Sequence, residues 1–155
     1  MSWFQRQKEQ LRPRRLEHPV FGRMTFMRMP VASRSYWEGR VAFPPTGTEI
    51  EIFVQGDEHG PGDEQVACFR EIARRYPDLW RTLETRLASF QEVWIRRPAP
   101  RPIADLYPLS ALSVPLALSD EMEWDLTFDS VQDPDHIYTF EMRGWEPVGD
   151  VRLDG

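Results

Sequence analysis

Apolar and polar positions alternate most cleanly over residues 48–55. Ile50, Ile52 and Val54 fall on one side, and Glu49, Glu51, Phe53 and Gln55 on the other, the period-two pattern of a half-buried strand. Two earlier runs read the same way. Residues 23–29 carry Thr, Phe and Met and stop at Pro30, while residues 36–43 place Trp37, Val41 and Phe43 on one face. Pro44-Pro45-Thr46-Gly47 separates the second run from the third, with residues that break strands. Three such runs at short spacing predict an antiparallel meander.

Beyond the Gly- and Pro-rich stretch at residues 56–62 the period changes from 2 to about 3.6. Asp63 is placed to cap a helix in which Val66, Phe69, Ile72 or Ala73, and Tyr76 recur at helical spacing. Pro77 is expected to interrupt it, because an interior proline lacks the N–H that a helix needs. A second helix is then predicted, with Leu79, Leu83, Leu87, Phe90 and Trp94 forming one continuous apolar stripe that packs on the sheet. Pro98, Pro100, Pro102 and Pro108 make residues 98–108 an extended connector. Residues 109–118 are apolar but broken by Pro115, and are read as irregular or as a short helix.

Three more strands are predicted to close the chain. Trp124, Leu126 and Phe128 share a face in the first; Tyr138, Phe140 and Met142 share one in the second; Trp145, Val148, Val151 and Leu153 mark a third over residues 144–153. Strands and helices are segregated, so the expected fold class is α+β: an antiparallel sheet of about six strands in the order β-β-β-α-α-β-β-β, with the helices packed on one face. The domain reading is a basic arm or short amphipathic helix at 1–16, carrying Trp3, Phe4 and Leu11, followed by one α+β domain at 17–155.

Composition narrows the class. At 155 residues with 41% hydrophobic and 12% aromatic positions, the chain can bury a core without disulfides or metal. Its single cysteine, Cys68, leaves no internal disulfide framework and no multi-cysteine zinc site. Met1-Ser2-Trp3-Phe4-Gln5-Arg6 runs into charge instead of an apolar leader, so a cytoplasmic location is expected. No stretch is apolar enough for a membrane span.

Charge is uneven. Residues 1–45 hold nine Lys/Arg against three Asp/Glu, residues 46–119 eight against eleven, and residues 120–155 two against eleven. Arg6, Lys8, Arg12, Arg14 and Arg15 are read as a solvated arm or first helix that folds back on the acidic C-terminal part. Nucleic acid is not the expected partner, because its binders present a basic domain and this one has a net charge of −6.

Signatures of catalysis are missing. Neither His18, His59 nor His136 sits in a nucleophile motif, and Cys68, between Ala67 and Phe69, reads as a buried structural thiol. Two carboxylate clusters suit a hard cation in composition only: Asp57, Glu58, His59 and Asp63 in one loop, and Asp133, Asp135 and His136 in another. Neither has a recognised ligand spacing. The reading is therefore no catalytic residue, no metal and no cofactor.

The run His18-Pro19-Val20-Phe21-Gly22, then Tyr36-Trp37-Glu38-Gly39, the acidic loop, Trp124-Asp125-Leu126-Thr127-Phe128, His136 with Phe140-Glu141, Gly144-Trp145-Glu146-Pro147 and Leu153-Asp154-Gly155 resembles a bacterial domain-of-unknown-function family of small α+β proteins. Members are often encoded beside polymorphic toxins. The resemblance covers about residues 17–97 and 120–155. It implies an immunity-protein role and carries no catalytic residues with it.

An immunity protein must cover its toxin fast and tightly, and an acidic face speeds encounter with a basic partner. Asp129, Asp133, Asp135, Glu141, Glu146 and Asp150 are the candidate contact residues. Their competing reading is as solvated edges and turns that discourage strand pairing. The expected function is a non-catalytic binder of another protein, a basic toxin domain being the partner its charge suits, acting by occlusion. Two alternatives stand beside it. One is a small hydrolase or carboxylate-metal enzyme built on the Asp57–Asp63 loop or the Asp133–His136 turn. The other is a structural accessory protein of a secretion or phage-like apparatus, which would form a homo-oligomer through exposed strands.

Overall fold

A computed structural model describes residues 13–155. Nine strands form one sheet: β1 (Arg15–His18), β2 (Gly22–Met27), β3 (Tyr36–Phe43), β4 (Thr48–Gln55), β5 (Leu109–Val114), β6 (Glu123–Asp129), β7 (Ile137–Arg143), β8 (Glu146–Pro147) and β9 (Arg152–Asp154). They lie side by side in chain order, with β8 and β9 in tandem along the same edge of β7. Every pairing is antiparallel except β4 with β5. A parallel neighbour requires a crossover, and the long helix α1 (Asp63–Phe90) supplies it. The result is α+β with a mostly antiparallel sheet, nine-stranded where about six strands were expected.

The alternation sets both faces. Ile50, Ile52, Val54, Trp37 and Phe43 are fully buried under α1, as are Leu126 and Phe128, with Phe140 all but so. The helix crosses the sheet from the β1–β2 turn to β7. Phe69 meets Phe21 and Phe43, Tyr76 meets Phe43, Trp80 meets Phe128, and Phe90 meets Tyr138.

Pro77 does not divide the helix. The buried positions Ile72, Tyr76, Leu79, Leu83 and Leu87 keep one register across it, and Pro77 itself is exposed. The proline ring stands on the exposed side of the helix, while burial of Tyr76 and Leu79 on the other side holds the turn together. The helix also begins on Gly62, with Asp63 its first residue. Gln65 Oε1 accepts from the Gly62 N–H at 2.9 Å.

Other expectations change at the ends of elements. Residues 15 and 16 belong to β1, not to a leading helix; the remainder of that predicted helix lies outside the described residues. The stripe ends at Phe90, because a π-helical turn over Gln91–Ile95 follows, and Trp94 is 71% exposed. Within the connector, Ile103–Leu106 forms a one-turn helix, α2. Residues 109–114, read as irregular or helical, are the central strand β5; Pro115 lies just past its end. The predicted last strand is two short ones, divided around Gly149, whose φ is +69°.

The His18–Gly22 motif proves to be a fold device. His18 Nδ1 accepts from the N–H groups of Val20 and Phe21 at 3.1 and 3.3 Å. Phe21 is fully buried, and Gly22 takes a φ of +68°, which a side chain would resist.

Candidate functional site

Among the described residues no α-helix covers the face of the sheet away from α1. Alternation places on it Glu38, Glu49, Glu51, Glu123, Asp125, Asp129, Glu141, Glu146 and Asp154, interleaved with Arg23, Arg40, Arg143 and Arg152. Over the ends of the central strands this face sinks into a groove of 560 Å³. Tyr36 and Phe53, edge to face at 5.8 Å, form one wall. Arg34, Ser113, Pro115, Glu123, Asp125, Glu141, Arg143 and Val148 are among the other lining residues.

Two carboxylates meet in it. Asp125 on β6 is directly opposite Glu141 on β7, a like-charge pairing that costs stability. Partial burial, and then the negative charge of Glu141, push the Asp125 carboxyl above the usual carboxylate range; the Ser113 hydroxyl and the more distant Arg152 pull it down only in part. Ser113 is placed for this because β5 is irregular, its register shifting between Leu109 and Ala111. Its Oγ accepts the Asp125 N–H at 2.6 Å. Glu141 is bridged by Arg152, which also binds Asp154 at 2.7 Å, and Glu123 lies 3.5 Å from Arg143. Among the described residues Asp125 has no arginine partner within salt-bridge distance. The groove therefore offers aromatic surface beside acceptors carrying surplus negative charge, a setting suited to a guanidinium or ammonium group.

Of the six acidic residues expected to bind a partner, Glu141 alone lines this groove. Asp129 and Glu146 share the open face outside it, Asp129 with its N–H on the Pro108 carbonyl at 3.0 Å. Asp133 is occupied within the β6–β7 turn, accepting from His136 Nδ1 at 2.8 Å and the Tyr138 hydroxyl at 2.9 Å. Those bonds lower its carboxyl pKa and raise that of His136. Asp135 is exposed in the same turn. Asp150 lies elsewhere, on a separate groove of 380 Å³ with Arg86, Phe90, Trp94 and Leu153. Sequence reasoning missed Asp125, Glu123, Tyr36 and Phe53. The signal was the outward half of the same alternation, which had been used only to assign the core.

Each loop suggested for a metal brings one Asp–His pair together but no third ligand among the described residues. Asp57 accepts from the backbone N–H and Nδ1 of its neighbour His59 at 2.9 and 3.1 Å, while Glu58 pairs with Arg14 and Arg28. Arg14 thus folds onto this loop and not onto the acidic C-terminal part. Among the described residues no three His, Cys, Asp or Glu side chains are grouped to hold a metal ion. Cys68 is buried, and burial pushes its thiol pKa up, away from the reactive thiolate. No helix among the described residues is long and apolar enough to cross a membrane.

The chain matches no family model, no curated protein and no solved structure.

Proposed function

We propose that the chain is a non-catalytic protein-binding domain, an immunity protein that neutralises a basic bacterial toxin domain by covering it with the open face of its sheet. The observation that carries the reading is the Asp125–Glu141 pair: two carboxylates held opposite each other in a groove, one of them shifted toward the neutral form. A cation from a partner relieves that repulsion, so the unbound face is destabilised relative to the complex. Arginine is the side chain best matched to it, since its planar fork pairs with carboxylates and its flat face lies over Tyr36 or Phe53. Occlusion needs no reacting group, only a broad complementary surface with steered encounter. The sequence resemblance to toxin-associated domains points the same way.

The test is to read the genes flanking the chain's own and to co-express the chain with any basic toxin domain they encode. The wild-type chain is expected to restore host growth, and the charge reversals Glu123→Arg and Glu141→Arg together are expected to abolish rescue while the protein stays folded. Rescue by the doubly reversed chain, or none by the wild type, contradicts the proposal.

A further inference from the structure

The end of α1 has a feature that core packing does not account for. An α-helix continued past Phe90 would put Trp94 four residues on, over the same stripe as Leu83 and Leu87. The π-helical turn at Gln91–Ile95 turns it outward instead. Trp94 is 71% exposed and Val93 60%, yet Trp94 does not hang free. Its ring stacks on Phe90 at 6.0 Å. Below the turn, Gln91 is buried, accepting from the Tyr107 hydroxyl at 2.6 Å. The segment then closes on Arg96 at φ +54°, a left-handed conformation that strains a non-glycine residue. π-Helical turns of this kind concentrate at functional sites. After Trp94 come Arg96, Arg97 and Arg101 with no carboxylate until Asp105, and among the described residues none of the three arginines forms an ion pair. The chain thus presents a braced knob of tryptophan and arginine, the residues most enriched where binding energy concentrates.

We infer that this knob docks into the open-face groove of a second copy of the chain, giving a head-to-tail assembly. The chemistry of the two surfaces is complementary. The groove has an aromatic pair in Tyr36 and Phe53, apolar lining in Pro115 and Val148, and carboxylates at Glu123, Asp125 and Glu141. Arg143 and Arg152 pair with Glu123 and Glu141, which leaves Asp125 without an arginine partner among the described residues, on a face where carboxylates outnumber arginines. Its 560 Å³ lies within the roughly 300–1,000 Å³ of sites that enclose a drug-sized molecule, room for a tryptophan and a neighbouring guanidinium. Topology forbids the contact within one chain. The groove lies on the open face at the end where β4 finishes, whereas α1 runs back over the other face and leaves Trp94 at the opposite end. Knob and groove are different surfaces, so the contact is heterologous: of two docked copies one keeps a free groove and the other a free knob, and further copies can add at either end.

The inference depends on the groove being a docking surface and not on a toxin being its other occupant. Molar mass by light scattering and sedimentation, with circular dichroism to confirm folding, tests it on the purified chain. The wild type is expected to rise above its monomer mass of 18.3 kDa as concentration approaches ~1 mM, and to fall back as salt increases. Trp94→Ala removes the knob, and Glu123→Arg, at a side chain 78% exposed, blocks the groove; each alone is expected to be monomeric. Mixed, they retain one productive contact and are expected to form a complex of two chains that grows no further. A wild type that stays monomeric throughout, a variant that still self-associates, or a mixture that stays monomeric overturns the inference. Toxin neutralisation by Trp94→Ala is a separate readout: its retention leaves the proposed function standing whatever the assembly state, and its failure bears on that function alone.

Discussion

The two faces of the sheet are made by the same strands and obey opposite rules. Under α1, residues from seven strands and the helix interlock as one apolar cluster, with aromatic pairs from Phe21 to Tyr138. On the open face the side chains are charged, and the arginines are distributed so that most carboxylates have a partner while Asp125 among them does not. The covered face is where the folding free energy resides. The open face contributes little to it and even carries a local repulsion. The difference teaches that apolar burial and charge are divided between faces, residue by residue along each strand; with recognition proposed for the charged face, mutations should separate it from stability.

The largest effects are expected on the covered face. Trp37→Ala removes a fully buried indole whose Nε1–H donates to the Asp57 carbonyl at 2.7 Å, and about 3–5 kcal/mol of stability should be lost in chemical denaturation. Leu83→Ala, at the middle of α1 and fully buried, should cost about 2–5 kcal/mol. A loss as small as a surface change at either position would break the comparison.

Gly144→Ala tests the tight turn between β7 and β8. Gly144 has a φ of +56°, and an added Cβ would stand 2.5 Å from the Asp120 carbonyl oxygen; its own carbonyl accepts the Trp124 indole N–H at 2.7 Å. A loss of about 1–3 kcal/mol is expected from the backbone strain.

On the open face the sign should reverse. Because the Asp125 carboxyl is raised above its ordinary 3.8 in the fold, the folded protein holds that proton more tightly than the unfolded chain. Its ionisation therefore weakens the fold as pH rises from about 3.8 through the raised value. Asp125→Asn should be more stable than wild type at neutral pH, with the difference vanishing below that range. Unfolding curves at a series of pH values check it. A variant less stable at neutral pH would show that the carboxylate is satisfied within the fold. The smallest effect is expected from Trp94→Ala, within about 0.5 kcal/mol of wild type, since its exposed ring lies off the core.

The elements with clear alternation, β3, β4, β6 and β7, were legible because one side of each is buried and the other is not. The β5 strand was illegible for the opposite reason. Parallel to β4 and central in the sheet, its Leu109, Ala111, Leu112 and Val114 are all buried, so no period shows, and Pro115 looks like a break when it merely follows the end. Pro77 misled in a similar way, since local chemistry says stop while burial of Tyr76 and Leu79 on either side says continue. For the site, composition drew attention to the acid-rich C-terminal segment, yet composition counts charges without locating them. It picked out Asp133, which serves a turn, together with Glu141, which lines the groove. Asp125 becomes visible only when strand register sets it opposite Glu141.

Carbodiimide labelling of carboxylates, followed by mass spectrometry on the chain alone and mixed with the basic toxin domain proposed as its partner, tests the division of faces most directly. Glu123, Asp125 and Glu141 should lose reactivity on binding while Glu64 and Glu84 on the helix keep theirs. Protection of the helix carboxylates with the groove still reactive would contradict the account.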